Sequence, residues 1–104
     1  MRGATLSTTT SLKMSLHPMR KAWSEEAWDD YIAAQSQDRK TLGRINALVK
    51  SIERNGYSAI GKVEPLRGEW SGWWSARINE KDRLIFRISG DLLEIAACKG
   101  HYSR

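Results

Sequence analysis

Hydrophobic periodicity changes once along this chain, near Asn55-Gly56, and that change limits the folds open to it. Before it, Leu42, Ile45, Leu48, Val49 and Ile52 recur at about 3.6-residue spacing, one face of a helix. Asp38 is placed to cap that helix, and Asn55-Gly56 to stop it. An earlier stripe, Ala27, Trp28, Tyr31, Ile32 and Ala34, predicts a first helix capped by Ser24, with Glu25 and Glu26 at its positive end. Only a short turn separates the two, so they form a hairpin. Both stripes read as core faces.

After residue 56 the pattern is that of strands. Gly61 and Pro65 mark an irregular stretch. Trp73 to Ile78, Arg83 to Ser89 and Leu92 to Cys98 read as strands, separated by Asn79-Glu80-Lys81-Asp82 and Gly90-Asp91. Such short connections predict an antiparallel meander. Arg20-Lys21-Ala22-Trp23 reads as a short first strand. The expected class is α+β, in the order β-α-α-β-β-β, with the helical hairpin on one face of a small, mostly antiparallel sheet.

A chain of 104 residues fits one small domain. Residues 1–18 hold no acid, seven Ser or Thr and almost no large apolar side chain. They are expected to be a disordered leader or a mis-assigned start, with the domain spanning 19–104. They contain no signal-peptide core. No apolar run approaches the roughly 20 residues of a membrane span, and a cytoplasmic protein is expected. Lys plus Arg is 17 against 12 Asp plus Glu, a net +5 that suits a polyanion or an acidic partner. One cysteine excludes an internal disulfide, and Cys98 lies in an apolar run as a core residue. Two histidines and one cysteine are too few for a zinc site, and although carboxylates leave magnesium open, no pair of acids advertises it, so neither metal nor cofactor is expected.

The chemistry-bearing residues lie late in the chain. His101 is the only histidine after residue 17, and it is followed by Tyr102. A metal-free ribonuclease uses the 2′-hydroxyl of RNA as nucleophile. It needs a base near that hydroxyl, an acid near the leaving oxygen, and cations around the phosphate. Glu64, His101 and the pair Arg77 and Arg83 supply each type. Singly, each has an ordinary reading: Glu64 a solvated loop acid, Arg83 an edge charge, His101 part of a frayed tail, Arg77 a partner for Glu80 or Glu94. Spacing alone supports no more than a small basic α+β domain.

Residues 19–102 resemble the YoeB (Txe) toxins of the RelE/ParE superfamily. The resemblance runs through Trp23-Ser24-Glu25-Glu26-Ala27-Trp28-Asp29-Asp30-Tyr31 and Gly61-Lys62-Val63-Glu64-Pro65-Leu66. It continues through Ser71-Gly72-Trp73-Trp74-Ser75-Ala76-Arg77-Ile78 and Asp82-Arg83-Leu84-Ile85, and closes with Ile95-Ala96-Ala97-Cys98-Lys99-Gly100-His101-Tyr102. It implies a ribosome-dependent mRNA endonuclease that cuts A-site codons, held in check by a YefM-type antitoxin. The general base falls on Glu64, the phosphate-stabilising arginine on Arg83, the general acid on His101, and a base-stacking ring on Tyr102. Arg77 matches a further site arginine, and Lys62, Arg67 and Lys99 are expected with it as substrate-binding cations. A homodimer is permitted, with the Trp-rich segment 70–74 as part of its surface.

The chain departs from the family's usual pattern at four places, and at one of them Lys99, where an arginine is common, keeps the charge but not the planar fork. Ala76 stands where an arginine is common, which reads as a lost cation. Gly100 stands where an aromatic is common, which reads as a loosened tail, so that Gly100→Tyr is expected to speed the reaction. Ser103 and Arg104 extend past Tyr102. Two alternatives stay open: a ParE-like toxin that binds a protein target without cutting RNA, and a degenerate toxin that mainly binds its antitoxin as co-repressor.

Overall fold

The computed structural model describes residues 19–100. In chain order these form β1 (Arg20–Trp23), α1 (Glu25–Gln37), α2 (Arg39–Asn55), β2 (Glu64–Pro65), β3 (Trp74–Arg77), β4 (Arg83–Ser89) and β5 (Leu92–Ala97). The sheet order is β1-β5-β4-β3-β2, antiparallel except where β1 runs parallel to β5. The α+β expectation therefore holds, with one addition. A two-residue edge strand, β2, forms where the sequence reads as irregular, because Glu64 and Pro65 pair with Ser75 and Trp74.

The helix ends follow capping chemistry. The Ser24 hydroxyl oxygen accepts from the Ala27 N–H at 3.0 Å, starting α1. The Asp38 carboxylate accepts from both the N–H and the hydroxyl of Thr41, at 3.0 and 2.7 Å, starting α2. Those two bonds hold the Asp38 carboxyl below its ordinary range.

The main core lies between the helices and one sheet face. Ala27 of α1 and Ile45, Leu48, Val49 and Ile52 of α2 pack on Ala76, Leu84, Phe86, Leu93 and Ile95. The stripe of α2 is buried from Ile45 to Ile52, while Leu42 at its start is half-buried. That of α1 is narrower than expected: Trp28 and Ile32 are 45% and 43% exposed. Trp28 instead stacks edgewise on Trp23 and face-on against Tyr31 at the rim of the sheet. A smaller cluster of Leu66, Ile85 and Ala97, with Trp70, Trp73 and Ala96, covers the opposite face.

A bulge separates the two faces along β5. Ile85 pairs with Ala97 but Phe86 pairs with Ile95, so Ala96 is the extra residue. It returns Cys98 to the helix-side core although Ala97 belongs to the other face. The Ser24 hydroxyl donates to the Ala96 carbonyl at 2.7 Å, so one side chain caps α1 and satisfies the bulge. No helix among the described residues is long and apolar enough to cross a membrane.

Candidate active site on the open sheet face

Strand register gathers three of the expected site residues. Glu64 of β2 pairs with Ser75 of β3, and Ser75 with Ile85 of β4. One row along, Arg77 pairs with Arg83. Directly paired residues share a face, as do residues two apart on a strand. Glu64, Ser75, Arg77 and Arg83 therefore belong to the face that carries Ile85, away from the helices. From strand and residue spacing, the backbones of Glu64 and Arg83 are roughly 12 Å apart. Their long side chains can reach one phosphodiester between them.

Glu64 is held by its approach loop. Gly61 adopts φ +96°, and its carbonyl accepts from the Arg77 N–H at 2.7 Å. A Cβ at Gly61 would lie 2.8 Å from Leu48 Cδ2 and 3.3 Å from both Ala76 Cβ and the Arg77 nitrogen. Only glycine allows this close approach, which delivers the chain to β2. Lys62 follows at φ +51°, a left-handed conformation unusual for a side-chain-bearing residue. Glu64, Lys62 and Arg67 are exposed, and their side chains have no hydrogen-bond or ion-pair partner among the described residues.

The two arginines differ. Arg77 is exposed at the end of β3, where its carbonyl accepts from Arg44 Nε of α2 at 3.3 Å. Arg83 is only 8% exposed. Its Nη1 donates to the carbonyls of Asn79, Glu80 and Asp82 at 2.8, 3.3 and 3.1 Å. The edge-charge reading of Arg83 therefore fails, because β4 is an interior strand and this guanidinium ties down the preceding turn. The Asn79 side chain organises the same turn, accepting from the Lys81 and Asp82 N–H groups at 2.8 Å each.

The tail begins beside Arg83. The Gly100 N–H donates to Asp82 Oδ1 at 2.9 Å, and the Gly100 carbonyl accepts from the Arg83 N–H at 2.9 Å. Gly100 has φ +98°. The loosened tail is thus not what this position shows: its glycine serves a fixed, left-handed backbone. His101 and Tyr102, together with Ser103, Arg104 and residues 1–18, lie outside the described residues.

Other expected residues fall elsewhere. Lys99 lines a cavity of about 260 Å³ on the helix side, with Asp30, Asp38 and Asp82. Ala76 is fully buried against the helices, so its departure from the family pattern is a packing change and not a missing cation on the Arg77 face. Trp70, Trp73 and Trp74 are each half-buried. Trp74 stacks on Tyr57, whereas Trp73 lies under Arg87 at 4.3 Å, and Arg87 is paired with Glu94 at 2.9 Å.

Sequence reasoning missed Ser75, which is 4% exposed on the open face between Glu64 and Ile85, with no hydroxyl partner among the described residues. It also missed Asp82. Among the described residues, no three His, Cys, Asp or Glu side chains gather as metal ligands.

Comparison with known proteins decides the family. The model of the YoeB-like toxin of bacterial type II toxin–antitoxin systems matches residues 23–102. The chain belongs to the YoeB family. Among YoeB relatives, the toxin YoeB of Escherichia coli is 45% identical over 84 residues, 81% of this chain and all of that protein. The YoeB dimer from Staphylococcus aureus superimposes with a TM-score of 0.78 at 39% identity, over 83% of this chain and all of that one. YoeB in the heterotetrameric YoeB–YefM toxin–antitoxin complex of the same organism gives a TM-score of 0.76 at 40% identity, over 81% and 98%.

Proposed function

We propose that this YoeB-family toxin is a metal-independent, ribosome-dependent mRNA endonuclease that blocks translation in the cytoplasm. The observation that carries the reading is the placement of Glu64, Arg77 and Arg83 on one sheet face, with Gly100 bonded to Arg83 at the root of the tail. Glu64 takes the proton from the ribose 2′-hydroxyl as that oxygen attacks the adjacent phosphorus. His101 gives a proton to the departing 5′-oxygen, leaving a 2′,3′-cyclic phosphate. Arg83 and Arg77 stabilise the charge that builds on the phosphorane oxygens. Lys62, Arg67 and Lys99 add attraction for the RNA backbone, and Tyr102 offers a ring on which a base stacks.

The resting chain is neutralised by a YefM-type antitoxin, and it can pair with a second copy of itself. The S. aureus relatives, solved as a YoeB dimer and as a YoeB–YefM complex, support both partners. A ParE-like role without RNA cleavage does not account for an exposed Glu64 aligned with two arginines. The degenerate-toxin alternative loses one of its grounds, since Ala76 is a core residue.

Toeprinting of a programmed ribosome tests the reading. Adding the chain should produce a new stop within the A-site codon, and the upstream fragment should end in a 2′,3′-cyclic phosphate or its 3′-phosphate. A 3′-hydroxyl end would contradict the mechanism. An uncut message, with a properly folded protein, would overturn the function.

A further inference from the structure

Gly100 is held at both of its peptide groups by two consecutive residues. Its N–H reaches Asp82 Oδ1 and its carbonyl receives the Arg83 N–H, each at 2.9 Å. Asp82 is a prepared acceptor. Its N–H donates to Asn79 Oδ1 at 2.8 Å, its Oδ2 accepts from Asn79 Nδ2 at 3.2 Å, and its carbonyl accepts from the Ile78 N–H at 3.0 Å. Little side-chain freedom is left to lose, and a carboxylate binding a backbone N–H makes a charge-assisted bond. The carbonyl of Gly100 lies in the rigid peptide plane that leads to residue 101. Whatever orients Gly100 therefore sets the direction in which the chain departs.

We propose that Asp82 is a positioning residue for RNA cleavage: its carboxylate fixes the backbone at Gly100, the residue that immediately precedes His101. The kinetic half of this statement rests on the endonuclease reading above; the backbone half does not. Asp82 touches no substrate. It acts through Gly100, and a small misplacement of a general acid is expensive in rate.

The test uses the full chain with Asp82→Ala, Asp82→Ser and Asp82→Asn. Serine keeps a polar turn residue but is too short to reach Gly100, whereas asparagine keeps an acceptor oxygen. One measurement is amide hydrogen exchange at Gly100, with Phe86 and Ile95 as controls in the core. The second is single-turnover cleavage on saturating programmed ribosomes, with the half-saturating ribosome concentration read separately.

In the alanine and serine variants, Gly100 should exchange at least about 10-fold faster, the controls should not change, and cleavage should slow about 10–100-fold at unchanged half-saturation. Asparagine should restore most of both. Either loss variant that keeps its Phe86 protection decides the matter. Unchanged Gly100 exchange, wild-type cleavage in a loss variant, or an asparagine variant no better than alanine would each overturn the proposal. A wild-type chain that cuts no message would instead overturn the endonuclease reading, and Gly100 exchange would still decide the backbone contact.

Discussion

Arg77 and Arg83 lie directly opposite each other across β3 and β4, yet one is exposed and the other buried. The difference separates two contributions that the sequence merges. Arg77 offers its guanidinium to solvent. Arg83 spends part of its hydrogen-bonding capacity on the 79–82 turn.

Arg83→Ala should therefore cost stability as well as rate. Losing the guanidinium's bonds to the turn carbonyls should cost about 1.5–3 kcal/mol, read as a lower denaturant midpoint. Cleavage should fall on the order of 10²–10³-fold, the effect of losing a preorganised charge stabiliser. Arg77→Ala should leave the unfolding free energy within about 0.5 kcal/mol of wild type while still slowing cleavage, because it loses a charge stabiliser without loosening the turn. Equal midpoints for the two variants would show that the turn stands without Arg83.

Gly100→Tyr should slow the enzyme, reversing the expectation drawn from the family pattern. A side chain at φ +98° is strained by about 1–3 kcal/mol, so the backbone must move off its bonds to Asp82 and Arg83. Gly100→Ala isolates this backbone effect from the added ring. A faster Gly100→Tyr enzyme would mean that stacking by the ring outweighs the displaced backbone.

Gly61→Ala should destabilise the fold by about 1–3 kcal/mol, since Leu48 and Ala76 leave no room for a Cβ and φ is already +96°. The shift should also move Glu64, three residues on. Thermal melting and single-turnover cleavage should fall together, and a variant as stable as wild type would refute the packing argument.

Cys98 should be inert at neutral pH. Burial, with Asp30 and Asp82 adding and Lys99 opposing, pushes its thiol up to about 12. A raised thiol favours the protonated form, so its contribution to stability is complete below the ordinary value of 9.0 and is lost as pH rises from there toward 12. Iodoacetamide should label the unfolded chain at pH 8 and leave the native one almost untouched. Rapid native labelling would place the thiol at the surface.

Ser75→Ala should hold or slightly raise stability, because it removes a buried hydroxyl that has no partner among the described residues. Urea denaturation reads this directly. A loss above about 1 kcal/mol would mean that the hydroxyl is bonded in solution.

Much of the fold was legible in local chemistry. Ser24 and Asp38 cap where their side chains predict, and four of the five α2 stripe residues are buried, with Leu42 half-buried. What escaped were facts of register. A period-two reading cannot show that Ala96 is an extra residue, that Ala76 faces the helices while Arg77 does not, or that β2 forms at Glu64. The site was legible as residue types but not as environments. That Arg83 is buried and bonded follows from a turn whose geometry depends on Asn79, a residue that carries no catalytic signal.

The place of β5 in the sheet governs when a nascent chain can complete its fold. This strand is last among the described elements, yet it lies second in the sheet, wedged between β1 and β4. The Ser24 to Ala96 bond alone spans 72 residues of sequence. Until β5 has emerged from the ribosome, β1 has no neighbour, the helix-side core lacks Leu93 and Ile95, and nothing brings Gly100 to Arg83. A stalled or prematurely terminated product that lacks β5 thus leaves β1 unpaired and β4 with an open edge, and it cannot seat Gly100 beside Arg83.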